Sequence, residues 1–258
     1  MTKTAIVFTC AHAKPDKDNN RFLWLGELIY DIKPDMVIDL GDGADMQSLN
    51  SYDDRYPQSV VRQSYDADIK AYLDAQEKLR HRFTKNKKKL PKWVGFEGNH
   101  EHRIKRALKH EPRLAGENYG LSFSHLQTGT WFDEYHEYVN SAPSIADYDG
   151  VSYAHYFSSG SYGKPFSGTH HAYSILQSRH HSSTCGHSHR RSVFFNDSAH
   201  PRPSIGLVAG CFKEHPDDWA GQSNNDWWAG VVIKRGIDNG VYEPEFISLK
   251  RLKEVYGG

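Results

Sequence analysis

Residues 35–45 read DMVIDLGDGAD. Met36, Val37, Ile38 and Leu40 form a short apolar run, closed by Gly41 and Gly43 and carrying the carboxylates Asp42 and Asp45 just past its end. A short apolar run bounded by turn residues is the pattern of a strand covered on both faces. Upstream, Phe22, Leu25, Leu28, Ile29 and Ile32 recur at helical spacing over 21–32, and Pro34 stops that helix. Further upstream, Lys3–Phe8 reads as a second buried strand. Strand, helix, strand is the precursor of a parallel sheet, so residues 35–45, read as the second strand, place the chain in the α/β class.

The pattern continues beyond residue 45. A polar stretch, SLNSYDDRYPQS, precedes a charged helix from about Ser64 to Phe83. KKKLPKWVGFEGNH is a basic turn, a third strand and a loop, and Glu101–Lys109 reads as another helix. The second half changes character: GVSYAHYF, HSSTCGHSH, RSVFF, PSIGLVAG, WAGVVIKRG and YEPEFISL are short apolar runs between Gly, Pro, Asp and Asn signals. One helix is expected there, around His170–Gln177, and GIDNGVY is a hairpin turn because Asn-Gly tolerates positive φ. With no internal repeat, low-complexity tract or linker, one domain over 1–258 with two sheets is the simplest reading.

Composition excludes several classes. Of 258 residues, 38% are hydrophobic and 25% charged, and no 18-residue apolar run suggests a membrane span. The start, MTKTAIVFTC, reads as a strand rather than a secretory signal, so the expected compartment is the cytoplasm. Cys10, Cys185 and Cys211 are odd in number and scattered, which suggests neither a disulfide framework nor a zinc finger. Lys+Arg and Asp+Glu both total 32, so there is no global basic field for nucleic acid. Histidine, a common metal ligand and acid/base, is abundant at 16 copies.

Four loops that follow expected strands carry metal-ligand side chains: CAH at 10–12, GDGAD at 41–45, GNHE at 98–101 and GHSH at 186–189. YAHY sets His155 inside or at the end of a fifth strand. In open α/β sheets functional groups collect at the carboxyl ends of strands. Asp42 can bridge two cations through its two oxygens, Asn99 offers a carbonyl oxygen, and His12, His155, His187 and His189 offer nitrogens. His187 and His189 lie two apart, so in an extended segment they point the same way, and a loop can aim them at adjacent ions. Mixed N/O ligands suit Mn, Fe, Zn or Ni, and two such ions roughly 3.5–4 Å apart can clamp a phosphate and generate a hydroxide nucleophile. The glycines before Asp42, Asn99 and His187 allow sharp turns beside a ligand.

Taken singly, each motif has an ordinary structural reading. His12 is a surface or core histidine, GDGAD a strand–helix turn, Asn99 a helix N-cap, and His155 a satisfied core histidine. Asp45 and Glu101 are first-turn acids favoured by the helix dipole. Taken jointly, the ordinary readings become improbable.

At these residues the sequence resembles the calcineurin-like metallophosphoesterase family, whose pattern is D-x-H, G-D-x-x-D, G-N-H-[DE], a lone His and G-H-x-H, in that order. The order here is complete over residues 10–189. The resemblance implies a four-layer α/β/β/α sandwich of two mixed sheets around a dinuclear metal centre. It implies that His12, Asp42 and His189 hold one ion, and that Asp42, Asn99, His155 and His187 hold the other. His100 would be the acid that protonates the leaving oxygen, and Asp45 would hold its imidazole. The strands over Ile205–Leu249 resemble the family's second sheet, and the ending WWAGVVIKRG…YEPEFISL resembles a phage-type branch.

Two departures stand out. Met46 occupies a position where many family phosphatases have a phosphate-gripping Arg, and Cys10 replaces the first Asp. Three readings of Cys10 stay open: a thiolate ligand favouring Zn or Fe over Mn, a residue near the ion without bonding it, or a small buried apolar group in a degenerate site.

The expected function is that of a phosphoesterase with two divalent transition-metal ions, manganese favoured, acting by attack of a metal-bound hydroxide. A phosphodiester, DNA or RNA before small nucleotides, is the expected substrate. The reasons are the missing Arg after Asp45 and the basic segments TKNKKKLPK, Arg103–Arg106 and Arg190-Arg191. The competing readings are a phosphomonoesterase and a metal-containing module that binds nucleic acid or a partner without turnover. Trp227 and Trp228 are expected to pack rather than to stack on bases, and the pairs His170-His171 and His180-His181 are not expected to be ligands.

Overall fold

The computed structural model describes residues 2–50, 64–86, 90–160, 163–197 and 202–258. The first sheet is built from β1 (Lys3–Phe8), β2 (Met36–Asp39), β3 (Lys92–Phe96), β4 (Glu134–His136), β12 (Gly230–Asp238) and β13 (Val241–Ser248). Its order is β13-β12-β1-β2-β3-β4, with β1 to β4 mutually parallel and β12 and β13 added antiparallel. The second sheet contains β5 (Ala146–Tyr148), β6 (Val151–Tyr153), β9 (Ser183–Cys185), β10 (Arg191–Asn196) and β11 (Ser204–Ala209). Its order is β10-β11-β9-β6-β5, with β6, β9 and β11 parallel and the edge strands antiparallel. A two-residue pair, β7 (Ser158–Ser159) with β8 (Lys164–Pro165), stands apart.

Helices cover the outer faces. α1 (Asn20–Ile32), α2 (Tyr65–Asn86) and α6 (Leu249–Tyr256) lie over the first sheet, where Phe22, Leu25, Leu79 and Leu252 pack with Ile6, Phe8 and Ile233. α5 (His171–Arg179) covers the second sheet through Ala172 and Ile175 against Cys185 and Val208. Between the sheets, Val7, Ile38, Val94 and Val232 meet Val151, Tyr153 and Leu207. The result is the expected α/β/β/α stack of two mixed sheets. Residues on both faces of β1, β2 and β12 are buried, which is why those strands read as continuous apolar runs.

α3 (His102–His110) and the single turn α4 (Thr128–Trp131) complete the helices used here. The expected helices at 64–83, 101–109 and 170–177 correspond to α2, α3 and α5, each displaced at its ends. Asn239 and Gly240 both have positive φ, 48° and 91°, as the β12–β13 hairpin requires.

One expectation is overturned. Of the strands over 205–249, only β11 belongs to the second sheet; β12 and β13 join the first, with β12 beside β1. An apolar run reports burial, not which sheet supplies the neighbour. α6 went unread in the sequence, although Leu249, Leu252 and Tyr256 lie on helical spacing and the Ser248 hydroxyl caps the helix by accepting from Arg251 N at 3.1 Å. Within the basic turn, residues 87–89 lie outside the described residues, as do residues 51–59 of the polar stretch and residues 60–63 after it.

Candidate metal centre

The five motif loops leave the carboxyl ends of β1, β2, β3, β6 and β9. The first two remain zipped together past their strands: Cys10 N donates to Gly41 O (2.9 Å), His12 N to Asp42 O (2.9 Å) and Ala13 N to Gly43 O (2.8 Å). The buried Arg21 guanidinium, on α1, donates to the carbonyls of Ala11 (2.8 Å) and Phe212 (3.0 Å), which holds the first loop against the chain after β11.

Five residues in these loops adopt left-handed backbone although none is glycine: Cys10 (φ 49°), His12 (46°), Asp42 (55°), His187 (66°) and His189 (59°). For L-residues this costs roughly 1–2 kcal/mol each, and such strain persists where the surroundings over-determine it, most often at functional sites. His187 and His189 are aimed by a loop rather than an extended segment: the left-handed turns send His187 to His155 and His189 to His12.

All six expected ligands gather. His12 Nε2 lies 3.1 Å from His189 Nε2. His155 Nε2 lies 3.2 Å from His187 Nδ1, 3.0 Å from Asn99 Oδ1 and 3.2 Å from Asp42 Oδ2. Cys10, His12 and His189 offer donor atoms within 4.8 Å of one another, as do Cys10, Asp42 and His155, and His12, Asp42 and His100. His12, Asp42, His155 and His189 are all buried.

The donor chemistry fits cations. His12 gives its Nδ1 hydrogen to Asp45 Oδ1 (3.0 Å), and His155 gives its own to Leu40 O (2.7 Å). The Nε2 of neutral His12 therefore carries a lone pair, oriented by an outer oxygen as metal-bound imidazoles are. His155 Nε2 faces a carboxylate oxygen and an amide oxygen, a cluster that needs positive charge among its members, from a proton on His155 or from a cation. Burial lowers His12 to about 4, with His100 adding to the effect, and lowers His187 to about 3 with help from His155. Burial and His12 likewise hold His189 well below its usual range, so these rings stay neutral, the form a metal binds. His155 is raised instead: burial opposes protonation, but the Asp42 carboxylate outweighs it. Burial also pushes the Asp42 carboxyl up, yet His155 and His100 prevail and hold it well below the carboxylate range. The donors suit a transition-metal site, with Asp42 belonging to groupings on both sides of it.

His100 lies beside the cluster, its ring 4.4 Å from that of His12 and edge-on to it. Its Nδ1 donates to the Asp45 backbone carbonyl (2.6 Å), with the Asp45 carboxylate farther off at 3.4 Å. The carboxylate expected to hold His100 is thus bonded more closely to His12. His100 Nε2 meets the Arg103 guanidinium (3.2 Å), which also donates to the carbonyls of Asp45 (3.0 Å) and Met46 (3.1 Å). Met46 is fully buried, packed with Ile69, Ile104 and Leu126.

Glu101 was undervalued as a first-turn acid. It is buried and makes no cap bond to its own helix; its carboxylate accepts from Asp42 N (3.0 Å), Ala44 N (2.8 Å) and Gly98 N (2.9 Å). It thereby clasps the GDGAD and GNHE loops together. Burial and the neighbouring Asp42 carboxylate push it up to about 6. The acidic fourth position of GNHE was the available signal. The glycines also differ in purpose: Gly41 has φ +91°, but Gly98 and Gly186 are there for close approach, to Asp42 and to Thr9.

Outside the cluster, His171 meets Ser188 Oγ at 3.1 Å and so braces the GHSH loop from behind. Trp227 packs edge-on against His189, centroids 4.5 Å apart, while Trp228 packs against Phe246. Arg190 pairs with Asp226, and Arg191 lies over Trp228. No helix among the described residues is long and apolar enough to cross a membrane.

No family model matches the chain, and no curated protein matches it. Solved structures do. A conserved uncharacterized protein (predicted phosphoesterase) from Streptococcus pneumoniae TIGR4 is 10% identical over 97% of this chain and 91% of its own, with a TM-score of 0.39. The nuclease MPE of Pseudomonas putida is 15% identical over 93% and 87%, with a TM-score of 0.38. A purple acid phosphatase from yellow lupin seeds is 11% identical over 97% of this chain and 52% of its own, again at 0.38. These structural neighbours are of the calcineurin-like metallophosphoesterase kind. At such identities and scores the fold and the site rest on this chain's own geometry.

Proposed function

We propose that the chain is a two-metal phosphoesterase acting on phosphodiesters. The observation that carries the reading is the meeting of His12, Asp42, Asn99, His155, His187 and His189, from five loops, with ring nitrogens, a carboxylate oxygen and an amide oxygen drawn to within 3.0–3.2 Å of a neighbour. His12 and His189 would hold one ion and Asn99, His155 and His187 the other, with Asp42 shared. When bound, the ions supply positive charge for the phosphoryl oxygens and an activated water. Manganese fits the N/O half of the donor set.

This chain's own residues do the rest. His100 commits Nδ1 to the Asp45 carbonyl, which leaves Nε2 to carry a proton to the leaving oxygen. Arg103, whose guanidinium donates to that nitrogen, sets a fixed positive charge where the leaving group departs. Asp45 serves twice, orienting His12 through its carboxylate and His100 through its carbonyl. The buried, uncharged Met46 leaves the phosphate with one cation fewer, which penalises a doubly charged monoester more than a singly charged diester. Among diesters, nucleic acid is preferred because of the basic segments 84–92 and 103–106.

The test is hydrolysis of bis(p-nitrophenyl) phosphate with Mn, beside p-nitrophenyl phosphate. Asp42→Ala and His100→Ala should each lower the diester rate by about 100-fold or more, with only the former weakening metal binding. Unchanged rates in both, or faster monoester turnover, would overturn the mechanism or the substrate class respectively.

A further inference from the structure

Cys10 and Cys185 are both fully buried cysteines at strand ends, but they sit differently. Cys185 belongs to β9 and packs among Ala154, Phe157 and Ile175, with ordinary strand backbone. Cys10 has left-handed backbone. Its sulfur accepts from His187 N at 3.2 Å and contacts Thr9 Oγ1 at 3.2 Å. Cys185 also takes a backbone hydrogen bond, from Phe157, so what sets Cys10 apart is its strained backbone, which a cysteine that merely fills core space does not need. An amide aimed at sulfur is the outer contact that thiolate ligands of metals receive.

The same sulfur lies within 4.8 Å of ring nitrogens of His12 and His189 and, in a second grouping, of the Asp42 and His155 donors. It is therefore on the side of the cluster where the ions belong. The Cys10 carbonyl accepts from Phe212 N (3.2 Å) and its amide donates to Gly41 O (2.9 Å), so backbone bonds on both sides hold the residue in that turn.

We infer that Cys10 Sγ is a direct ligand of the ion held by His12 and His189, with Asp42 completing the set. This rests on the two-metal reading and adds to it. The site holds two chemically unlike halves: sulfur, two nitrogens and a carboxylate oxygen on one side; two nitrogens with amide and carboxylate oxygens on the other. The sulfur half selects zinc or iron over manganese, while the second half keeps manganese competitive, so the centre is heteronuclear by construction.

The experiment is metal analysis and zinc-edge X-ray absorption on the full chain, stripped with chelator and reloaded with one equivalent of zinc. Wild type should show a sulfur scatterer at about 2.3 Å beside nitrogen and oxygen at about 2.0–2.1 Å. Cys10→Ser should lose the sulfur shell and at least about tenfold of its preference for zinc over manganese. A Cys185→Ala/Cys211→Ala double variant should keep both. Cys10→Asp, which retains a ligand and tests the same point should the serine variant fail to fold, should bind zinc without sulfur and shift toward manganese. A wild-type protein that binds zinc with no sulfur shell, or a shell lost in the double variant, overturns the assignment of Cys10 and leaves the metal centre standing. A wild-type protein that takes up no metal at all overturns the metal centre and this inference with it.

Discussion

Gly98 is the point where two loops of the site touch, and Gly98→Ala tests whether that contact sets the geometry. A Cβ there would lie 2.2 Å from Asp42 N and 2.2 Å from Asp42 Oδ1, and 2.8 Å from the Glu101 carboxylate. Ordinary contact begins at 3.4 Å, so the loops must part by about 1.2 Å. Backbone cannot rotate aside as a flexible side chain can, and Asp42 is anchored by the amides of both loops. The φ of Gly98 suits alanine, so the clash is the whole perturbation. The stability cost is roughly 1–3 kcal/mol, in the range of an overpacked core. The functional cost is larger: a shift of that size is over half a metal–ligand bond of about 2 Å, and misplacements near 1 Å cost on the order of 100-fold in rate. Calorimetric titration of the stripped protein with manganese and diesterase kinetics measure the two effects. The expected outcome is a folded variant with weakened metal binding and about 100-fold lower kcat/KM. Gly129→Ala, where nothing lies within 4 Å of the added carbon, should match wild type. A folded Gly98→Ala protein with wild-type metal affinity and a rate within about threefold would refute the claim that this approach holds Asp42 in place.

Three further outcomes follow from the same geometry. Glu101→Gln keeps the shape but turns an NH2 group toward loop amides that now donate to carboxylate, so chemical denaturation should show a loss of about 2–3 kcal/mol. Burial pushes Asp39 up to about 7, with the Gly41 amide opposing. Because the folded state then holds the proton more tightly than the unfolded chain, stability is full below the ordinary carboxylate range and is lost as pH rises toward 7. In chelator, Asp39→Asn should remove that loss, gaining at most about 4 kcal/mol over wild type at pH 8 and far less at pH 4, read from denaturant midpoints. Arg103→Ala should lower diester kcat by about tenfold or more with metal affinity unchanged, because Arg103 touches His100 rather than a ligand; equal loss of metal would refute its placement.

Much of the site was legible because its residue types are chemically restricted. An Asn-His pair after a strand, or two histidines two apart after Cys-Gly, are costly choices for a plain loop, and five of them in one order leave few alternatives. Glu101 was misjudged because the same acid at the same position also suits a helix start; only the direction of its carboxylate, back toward loop amides, separates the readings. Arg21 gave no sign at all. It sits among the apolar positions of α1, and its partners Ala11 and Phe212 are carbonyls, which no sequence pattern marks. For Cys10 the sequence leaves three roles open, and the ligand role inferred above rests on its backbone and its place beside His12 and His189.

The alternation of strand and helix, the burial of the central strands and the inventory of candidate ligands are all readable before folding, because they depend on local periodicity and side-chain chemistry. The tertiary structure alone decided that β12 and β13 complete the first sheet. It also decided that His12 and His189, 177 residues apart, face each other at 3.1 Å, and that five non-glycine residues are bent into left-handed turns to make this so. Local patterns report how a residue is covered, whereas which distant segment does the covering is settled by packing the two sheets against one another, and the candidate metal centre is assembled only once that packing is complete.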